Sequence, residues 1–240
     1  MSSDDDLSAL VDTMFSTNRR GRLTGDAPHF YLLRTPRLVI YRCHADLAED
    51  AAAGLASLLR RERGRPSLWA REYADYLAVL LSVAPLAAVR VGPLYGFPQS
   101  AVSGGAAVHI GRGNVDLLLG GLDEWVPDVA KGLPVAAVVA DGRAVSICAS
   151  IHASRTSHCA GVETLPGYRG KGLGAQAVAA WFRMVQASGA TAFYGTTFDN
   201  VASQGLAKRL ALDLIGAEFS VSLEMGKIGT ACRSRFVPQA

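Results

Sequence analysis

The chain has 240 residues and a formal net charge of +3; half of its residues are hydrophobic and 19% are charged. That much apolar material supports a core of one large or two small lobes and excludes a disordered or coiled-coil chain. The charge is too small to argue for a nucleic-acid surface, and no stretch reaches the roughly 20 unbroken apolar residues of a membrane span.

The N-terminus reads MSSDDDLSAL, acidic where a secretion signal is basic, so a cytoplasmic protein is expected. Residues 1–27 are polar enough for a loosely docked arm, with a short helix around Leu7–Phe15. A first lobe is expected over 28–112. Leu38–Tyr41 reads as a strand. Residues 46–63 carry apolar side chains at Leu47, Ala51, Leu55, Leu58 and Leu59, the helical period. Residues 69–82 predict a second helix that stops before Pro85. The Gly/Pro-rich stretch GPLYGFPQSAVSGG at 92–105 reads as a break, and the lobe boundary is placed near it. Tyr95 and Phe97 in that stretch either pack the junction or line an acceptor pocket there.

A second lobe is expected over 113–240. Residues 115–131 suggest a helix with Leu117, Leu118, Leu122, Trp125 and Val126 on its apolar side. Strands at 135–140 and 145–148 flank Asp141-Gly142, a strong hairpin signal. A strand from Cys159 to Thr164 leads into LPGYRGKGLG, and an amphipathic helix follows over 175–187 with Val178, Trp181, Phe182 and Val185 as its buried stripe. A strand at 192–197, a helix at 201–210 and a hairpin of 214–219 with 220–225 complete the reading. The four cysteines, Cys43, Cys148, Cys159 and Cys232, lack close metal-ligand spacing and read as reduced, mostly buried thiols; no metal is expected.

The chemistry lies in the Gly-rich turn between strand and helix. Successive N–H groups in such a turn converge on an anion, helped by the positive helix end. A dinucleotide fingerprint fails because position 175 is Ala, and a phosphate-binding P-loop fails because Lys171 is followed by Gly172 and position 165 is Leu. The pattern that fits is Arg-x-x-Gly-x-Gly at Arg169, Gly172 and Gly174.

Together with its V-x-T-x-P-x-Y lead-in, the next strand and Asn200-x-x-Ser203, this segment resembles the GNAT superfamily of acetyl-CoA-dependent N-acetyltransferases. The 28–112 lobe resembles, loosely, that of a bacterial subgroup. The resemblance implies an α/β (α+β) fold: a mixed, mostly antiparallel twisted sheet with helices on both faces and splayed central strands. It implies that backbone groups of Val162 and Thr164 pair with the pantetheine of acetyl-CoA, and that N–H groups of Gly170, Lys171, Gly172, Leu173, Gly174 and Ala175 hold its pyrophosphate. Arg169 and Lys171 supply charge nearby, although Lys171 also reads as a solvated residue. Asn200 either helps fix the cofactor arm or caps its helix. The expected acceptor is a small-molecule or peptide amine, with no nucleic acid or membrane partner, and a homodimer is left open.

The sequence departs from the family where protons are handled. Many members carry a Tyr seven residues after the Asn, here Ala207; some carry a Glu five before it, here Gly195. The substitutes are Ser203 as acid and Glu163, His158 or His152 as base. Glu163 lies between two cofactor-facing residues, so alternation sends its side chain to the opposite face. The competing reading is an acyl-CoA-binding module with a degenerate catalytic site.

Overall fold

The computed structural model describes residues 4–62, 73–98 and 105–225. Nine strands and six helices are present among them. In chain order these are α1 (Asp4–Met14), β1 (Phe30–Arg34), β2 (Val39–Cys43), α2 (Glu49–Glu62), α3 (Tyr73–Leu81), β3 (Leu86–Gly96), β4 (Ala107–His109), α4 (Val126–Ala130), β5 (Val135–Ala140), β6 (Arg143–Ala153), β7 (Ser157–Thr164), α5 (Leu173–Ala187), β8 (Thr191–Gly195), α6 (Val201–Arg209) and β9 (Asp213–Leu223). The start of the helix expected at 69–82, the last residue of the one at 46–63, residues 99–104 and Cys232 lie outside the described residues. No helix among the described residues is long and apolar enough to cross a membrane.

The chain divides into two compact units, each drawn from separate stretches of sequence. Unit 1 comprises 4–14 and 95–213; unit 2 comprises 15–94 and 214–225.

Unit 1 is built on strands in the order β8-β7-β6-β5-β4. The β4–β5, β5–β6 and β6–β7 pairs are antiparallel, and β7–β8 is parallel. Asp141 and Gly142 both have positive φ, 52° and 77°, as a two-residue turn of this hand requires, so the Asp-Gly signal holds. One sheet face carries α5 through Ala136, Val138, Cys148 and Ala160 against Ala177, Val178, Trp181 and Val185. The other carries Trp125 and Val129 against Ala137, Ile147 and Ala149. Helices therefore cover both faces.

Three local expectations change. Residues 4–14 form a docked helix: Leu7, Leu10 and Val11 are buried, and the Ser157 hydroxyl donates to the Asp6 carbonyl (2.9 Å). Three aspartates in its first turn favour the helix dipole, which a reading of mean polarity overlooks. Residues 115–131 are not one helix but two 3₁₀ turns followed by α4. Gly120 has φ +83°, and the Asp123 carboxylate accepts from the N–H groups of Gly120 and Gly121, competing with helical bonding and holding its own pKa below the usual value. Residues 92–96, expected as a break, continue β3, since the fixed φ of Pro93 is compatible with extended chain.

Unit 2 has the strand order β2-β1-β9-β3. Residues 214–225 do not form the expected hairpin: β9 is one strand, antiparallel to β1 with Phe30 opposite Val221 and Arg34 opposite Ala217. Ala217, Phe219, Val221 and Leu223, every second residue of β9, are all buried, a run on one side that a turn at 219–220 would have interrupted. Phe30, Tyr76 and Phe219 cluster with Leu55 and Leu80 from α2 and α3 as the core of this unit.

Candidate active site

β7 and β8 are in register at only three positions, Ser157–Thr191, His158–Ala192 and Cys159–Phe193. Beyond Cys159 the two strands part, while β7 stays paired with β6 as far as Thr164. The result is a sheet opened along one side of Ala160–Thr164, with the Gly-rich loop at its end. A cleft of about 320 Å³ occupies this opening, inside unit 1. Its walls come from Val162, Glu163 and Thr164 of β7, from Tyr168–Gly170 and Gly172–Ala175, from Tyr194 of β8 and from Ala202, Ser203, Leu206 and Arg209 of α6.

The loop is shaped for an anion. Gly170 and Gly172 have φ of +73° and +78°, a conformation that costs an ordinary L-residue about 1–2 kcal/mol. Gly172 is also the residue before α5, whose first N–H groups have no intrahelical acceptor. A Cβ added at Gly172 would stand 2.9 Å from the Arg209 guanidinium. Hence glycine at 172 both allows the turn and admits Arg209 against it. At Gly174 a Cβ would meet the Thr164 hydroxyl at 3.4 Å and Val162 at 3.7 Å, so the helix start lies against the free side of β7.

Most residues expected to bind the cofactor line this cleft: Val162, Thr164, Arg169, Gly170, Gly172, Leu173, Gly174 and Ala175. Arg169 donates from Nε to the Thr164 carbonyl (3.0 Å), fixing the loop to the strand end. Lys171 is not in the lining; its ammonium donates to the Gly167 carbonyl (3.1 Å) and lies 5.2 Å from the centre of the Tyr168 ring. Asn200 is not in the lining either. Its Oδ1 accepts from the Ser203 N–H (3.0 Å), so it caps α6.

Of the proton-handling candidates, Ser203 and Glu163 border the cleft. As alternation requires, Glu163 faces away from α5: its Oε2 accepts from Trp125 Nε1 at 2.5 Å. Gly161 makes that possible, because a Cβ there would come within 3.0 Å of the indole. His158 is buried outside the cleft, where its Nδ1 shares a hydrogen bond with Ser150 Oγ (2.9 Å), which also accepts from Trp181 Nε1 (2.9 Å). Burial holds the His158 pKa below its usual value. His152 also lies away from the cleft; burial, aided by the Lys131 charge, lowers its pKa to about 4. Phe97 stacks on Phe182 at 4.6 Å and so packs against α5.

Two lining residues escape a reading of sequence. Tyr194 is 3% exposed and lines the cleft, as Ser203 does. Its only signal in the sequence is a place in an apolar strand. Arg209 lies near the end of α6, where a basic residue is ordinary, and only the folded chain sets it over Gly172.

Residues 118–211 match the model of the acetyltransferase (GNAT) family. No curated protein matches by sequence. Among solved structures, a GCN5-related N-acetyltransferase from Kribbella flavida is similar at 16% identity with a TM-score of 0.50, covering 92% of this chain and 93% of that one. A GNAT-family acetyltransferase from Colwellia psychrerythraea is similar at 12% identity and a TM-score of 0.48, over 92% and 98% of the two chains. The aminoglycoside N-acetyltransferase AAC(6')-Iy in complex with CoA is similar at 18% identity and a TM-score of 0.36, over 53% of this chain and 97% of that one. The Kribbella likeness speaks for the fold over most of the chain. The parted β7–β8 pair and the loop that follows it lie within 118–211, and that stretch of the chain is a domain of the GNAT family of acetyltransferases.

Proposed function

We propose that this chain is an N-acetyltransferase that uses acetyl-CoA and a primary amine, on a small molecule or peptide, in one ternary complex. The observation that carries the reading is the opened strand Ala160–Thr164, ending in a loop with two left-handed glycines at the start of a 15-residue helix. The cradle suits the cofactor on its own evidence. An L-residue at 172 would be strained and would press on Arg209, leaving a bare backbone for a diphosphate to approach. Backbone groups of Val162 and Thr164 offer the edge an extended pantetheine pairs with, and Gly170–Ala175 with Arg169 and Arg209 hold the phosphates. Lys171 acts from outside the cleft as a charge only, and Asn200 orders the start of α6.

Acetyl-CoA supplies an activated acyl group and a thiol leaving group. The chain's tasks are to hold the amine in place, take its proton, and stabilise charge on the acyl oxygen. A free alkyl amine, with a pKa near 10.4, is mostly protonated at neutral pH, so a base is needed. We assign that task to Glu163, the one carboxylate among the described residues of the cleft, oriented by Trp125. His158 and His152 are placed away from the cleft and are held neutral by burial. N–H groups near Val162–Thr164 serve the acyl oxygen.

A second reading, acyl-CoA binding without turnover, is favoured by one observation. Ala207, where many relatives have Tyr, is fully buried, and Gly195 has no side chain to act as base. Two measurements separate the readings. Acetyl-CoA at millimolar concentration raises the melting temperature under both, because it binds the folded state. Release of free thiol with a panel of amines occurs only under the first. Absence of any thermal shift removes both.

A further inference from the structure

We propose that His158 is a positioning residue of the cleft: its neutral imidazole ends a buried hydrogen-bond chain, Trp181 to Ser150 to His158, that ties α5, β6 and β7 together where β7 leaves β8. The tie itself rests on geometry. That the cleft it steadies holds coenzyme A rests on the acetyl-CoA reading above.

The place of the chain in the sheet leads to it. His158 belongs to the last stretch of β7 in register with β8, and Ala160, the first residue past that stretch, lies opposite Ser150 of β6. On its other edge β7 meets a second irregularity. The register of β6 shifts between Ser150 and His152, so Ile151 is an extra residue and the ladder is interrupted there too. Gly161 admits the shift, because a Cβ on it would run into the Ile151 side chain. The apex of the cleft is thus the point where backbone pairing is disturbed on both edges of β7. At that level three buried side chains from three elements join. Trp181 Nε1 donates to Ser150 Oγ (2.9 Å), and Ser150 Oγ lies 2.9 Å from His158 Nδ1.

Hydrogen counting fixes the direction of the chain. An indole N–H only donates, so Ser150 Oγ accepts from Trp181 and its single hydrogen goes to His158 Nδ1. The ring therefore carries its proton on Nε2. A proton added at Nδ1 would aim two donors at one serine oxygen and leave the serine hydrogen without its acceptor, which is unfavourable at a buried site. Burial also opposes the charged ring. The titratable groups around it, among the described residues, are Arg183 of α5, Arg143, Cys148 and His152 of β6, Arg155 of the following turn, Cys159 and Glu163 of β7, Tyr95 at the end of β3 and Tyr194 of β8. Glu163, the one carboxylate among these, faces Trp125 on the opposite side of the sheet. The aspartates of α1 belong to that opposite side as well, where Ser157 meets Asp6. The chain is therefore intact above the ordinary histidine pKa near 6.5 and opens as pH falls through the lower folded value.

The test begins without coenzyme A. The full chain is labelled with heavy nitrogen in histidine, and two-bond nitrogen–proton correlation is recorded at about pH 7.5, above the ordinary histidine range. His158, identified by its loss in His158→Asn, is expected as the neutral ring with hydrogen on Nε2. Hydrogen on Nδ1, or a charged ring, overturns the proposal. Coenzyme A affinity is then measured by calorimetry. Ser150→Ala, which breaks both bonds, should weaken it by about fivefold, the scale of one net hydrogen bond, and His158→Leu likewise. His158→Asn, whose amide oxygen accepts from Ser150 where Nδ1 does, should stay within about twofold of the parent. On acidification the parent should lose affinity in step with the His158 titration, and His158→Asn should lack that part of the loss. Comparing the two cancels the titration of the coenzyme's own phosphates. Variants that melt earlier yet bind coenzyme A as the parent does overturn the positioning role and leave the cofactor assignment standing. A parent chain that does not bind coenzyme A overturns both. If Ser150→Ala does not fold, the ring tautomer and the pH profile of the parent against His158→Asn decide.

Discussion

Unit 1 and unit 2 pack helices on sheets with different side chains, and the difference follows what each must hold still. In unit 2 the centre is made of rings: Tyr73 stacks on Phe219 at 4.4 Å, and Phe30 sits 5.5 Å from Tyr76. Such rings bury large area per residue. In unit 1 the first half of α5 meets the sheet through Ala177, Val178, Ala179 and Ala180, and only the second half brings Trp181, Phe182 and Val185. Small side chains let the helix start lie close to β7, where Gly174 has only ordinary contact distance to Thr164 and Val162. A binding loop at a helix start needs positional accuracy more than bulk, and unit 1 spends its small residues there.

The largest effect that sharpens this contrast is in unit 2. Phe219→Ala removes a ring touching Phe30, Tyr73 and Tyr76 and should cost about 3–5 kcal/mol of stability, read from denaturant unfolding. A loss under about 1 kcal/mol would show that the aromatic cluster is not the cohesive centre of that unit.

Titration separates the units next. In unit 1, the folded-state pKa of His152 is lowered to about 4, while an unfolded chain has the ordinary 6.5. The unfolded state therefore binds the proton first, and stability falls as pH drops from about 6.5 to about 4, by up to about 3 kcal/mol. His152→Gln should flatten that part of the stability curve. In unit 2, burial raises the pKa of Glu218, partly offset by the Tyr31 hydroxyl that donates to it at 2.5 Å. Here the sign reverses: the unfolded carboxyl ionises first, so stability is lost as pH rises above about 4.5 toward the folded value. Glu218→Gln should raise the melting temperature near pH 7 and converge with the parent near pH 4. The same pH profile in both variants would collapse the comparison.

The site itself breaks with one atom group. Gly172→Asp introduces a strained φ and a carboxylate beside Arg209, which neutralises that charge and fills the cradle. Acetyl-CoA affinity should fall at least about a hundredfold, near 2.7 kcal/mol by the affinity relation, measured by calorimetry on protein shown to be folded.

What the sequence disclosed divides along the same line. Loop, flanking strand and helix were legible because Gly170, Gly172 and Gly174 have a mechanical reason to stand where they do, and because Asp141-Gly142 fixes its turn locally. The parting of β7 from β8 was legible only through family resemblance, since register between strands distant in sequence leaves no local mark. β9 was misread because four consecutive apolar alternations look the same in one strand as in two short ones until the partner β1 is known. Tyr194 and Arg209 were missed for a related reason. An aromatic in a buried strand and a cation near a helix end are each locally ordinary, and only the approach of β8 and α6 to the loop sets them at the cleft.

The last prediction sets two cations of the loop region, Lys171 and Arg209, against each other. The sequence offers Lys171, inside the glycine motif, and is silent on Arg209, 37 residues past Gly172. In the fold their positions are reversed in value. Arg209 lines the cleft with its guanidinium against Gly172, whereas the Lys171 ammonium turns to the Gly167 carbonyl and the Tyr168 ring. Arg209→Ala should weaken coenzyme A binding by about tenfold, the low end for a charge-assisted hydrogen bond, because the side chain is exposed and screened. The deficit should shrink as ionic strength rises, since added ions take over part of the screening. Lys171→Ala should change affinity by less than about threefold at any salt concentration, as an exposed charge without a direct contact contributes little. If Lys171→Ala costs more than Arg209→Ala, the diphosphate lies on the outer side of the loop, and the assignment of the cleft between β7 and α6 as its seat is wrong.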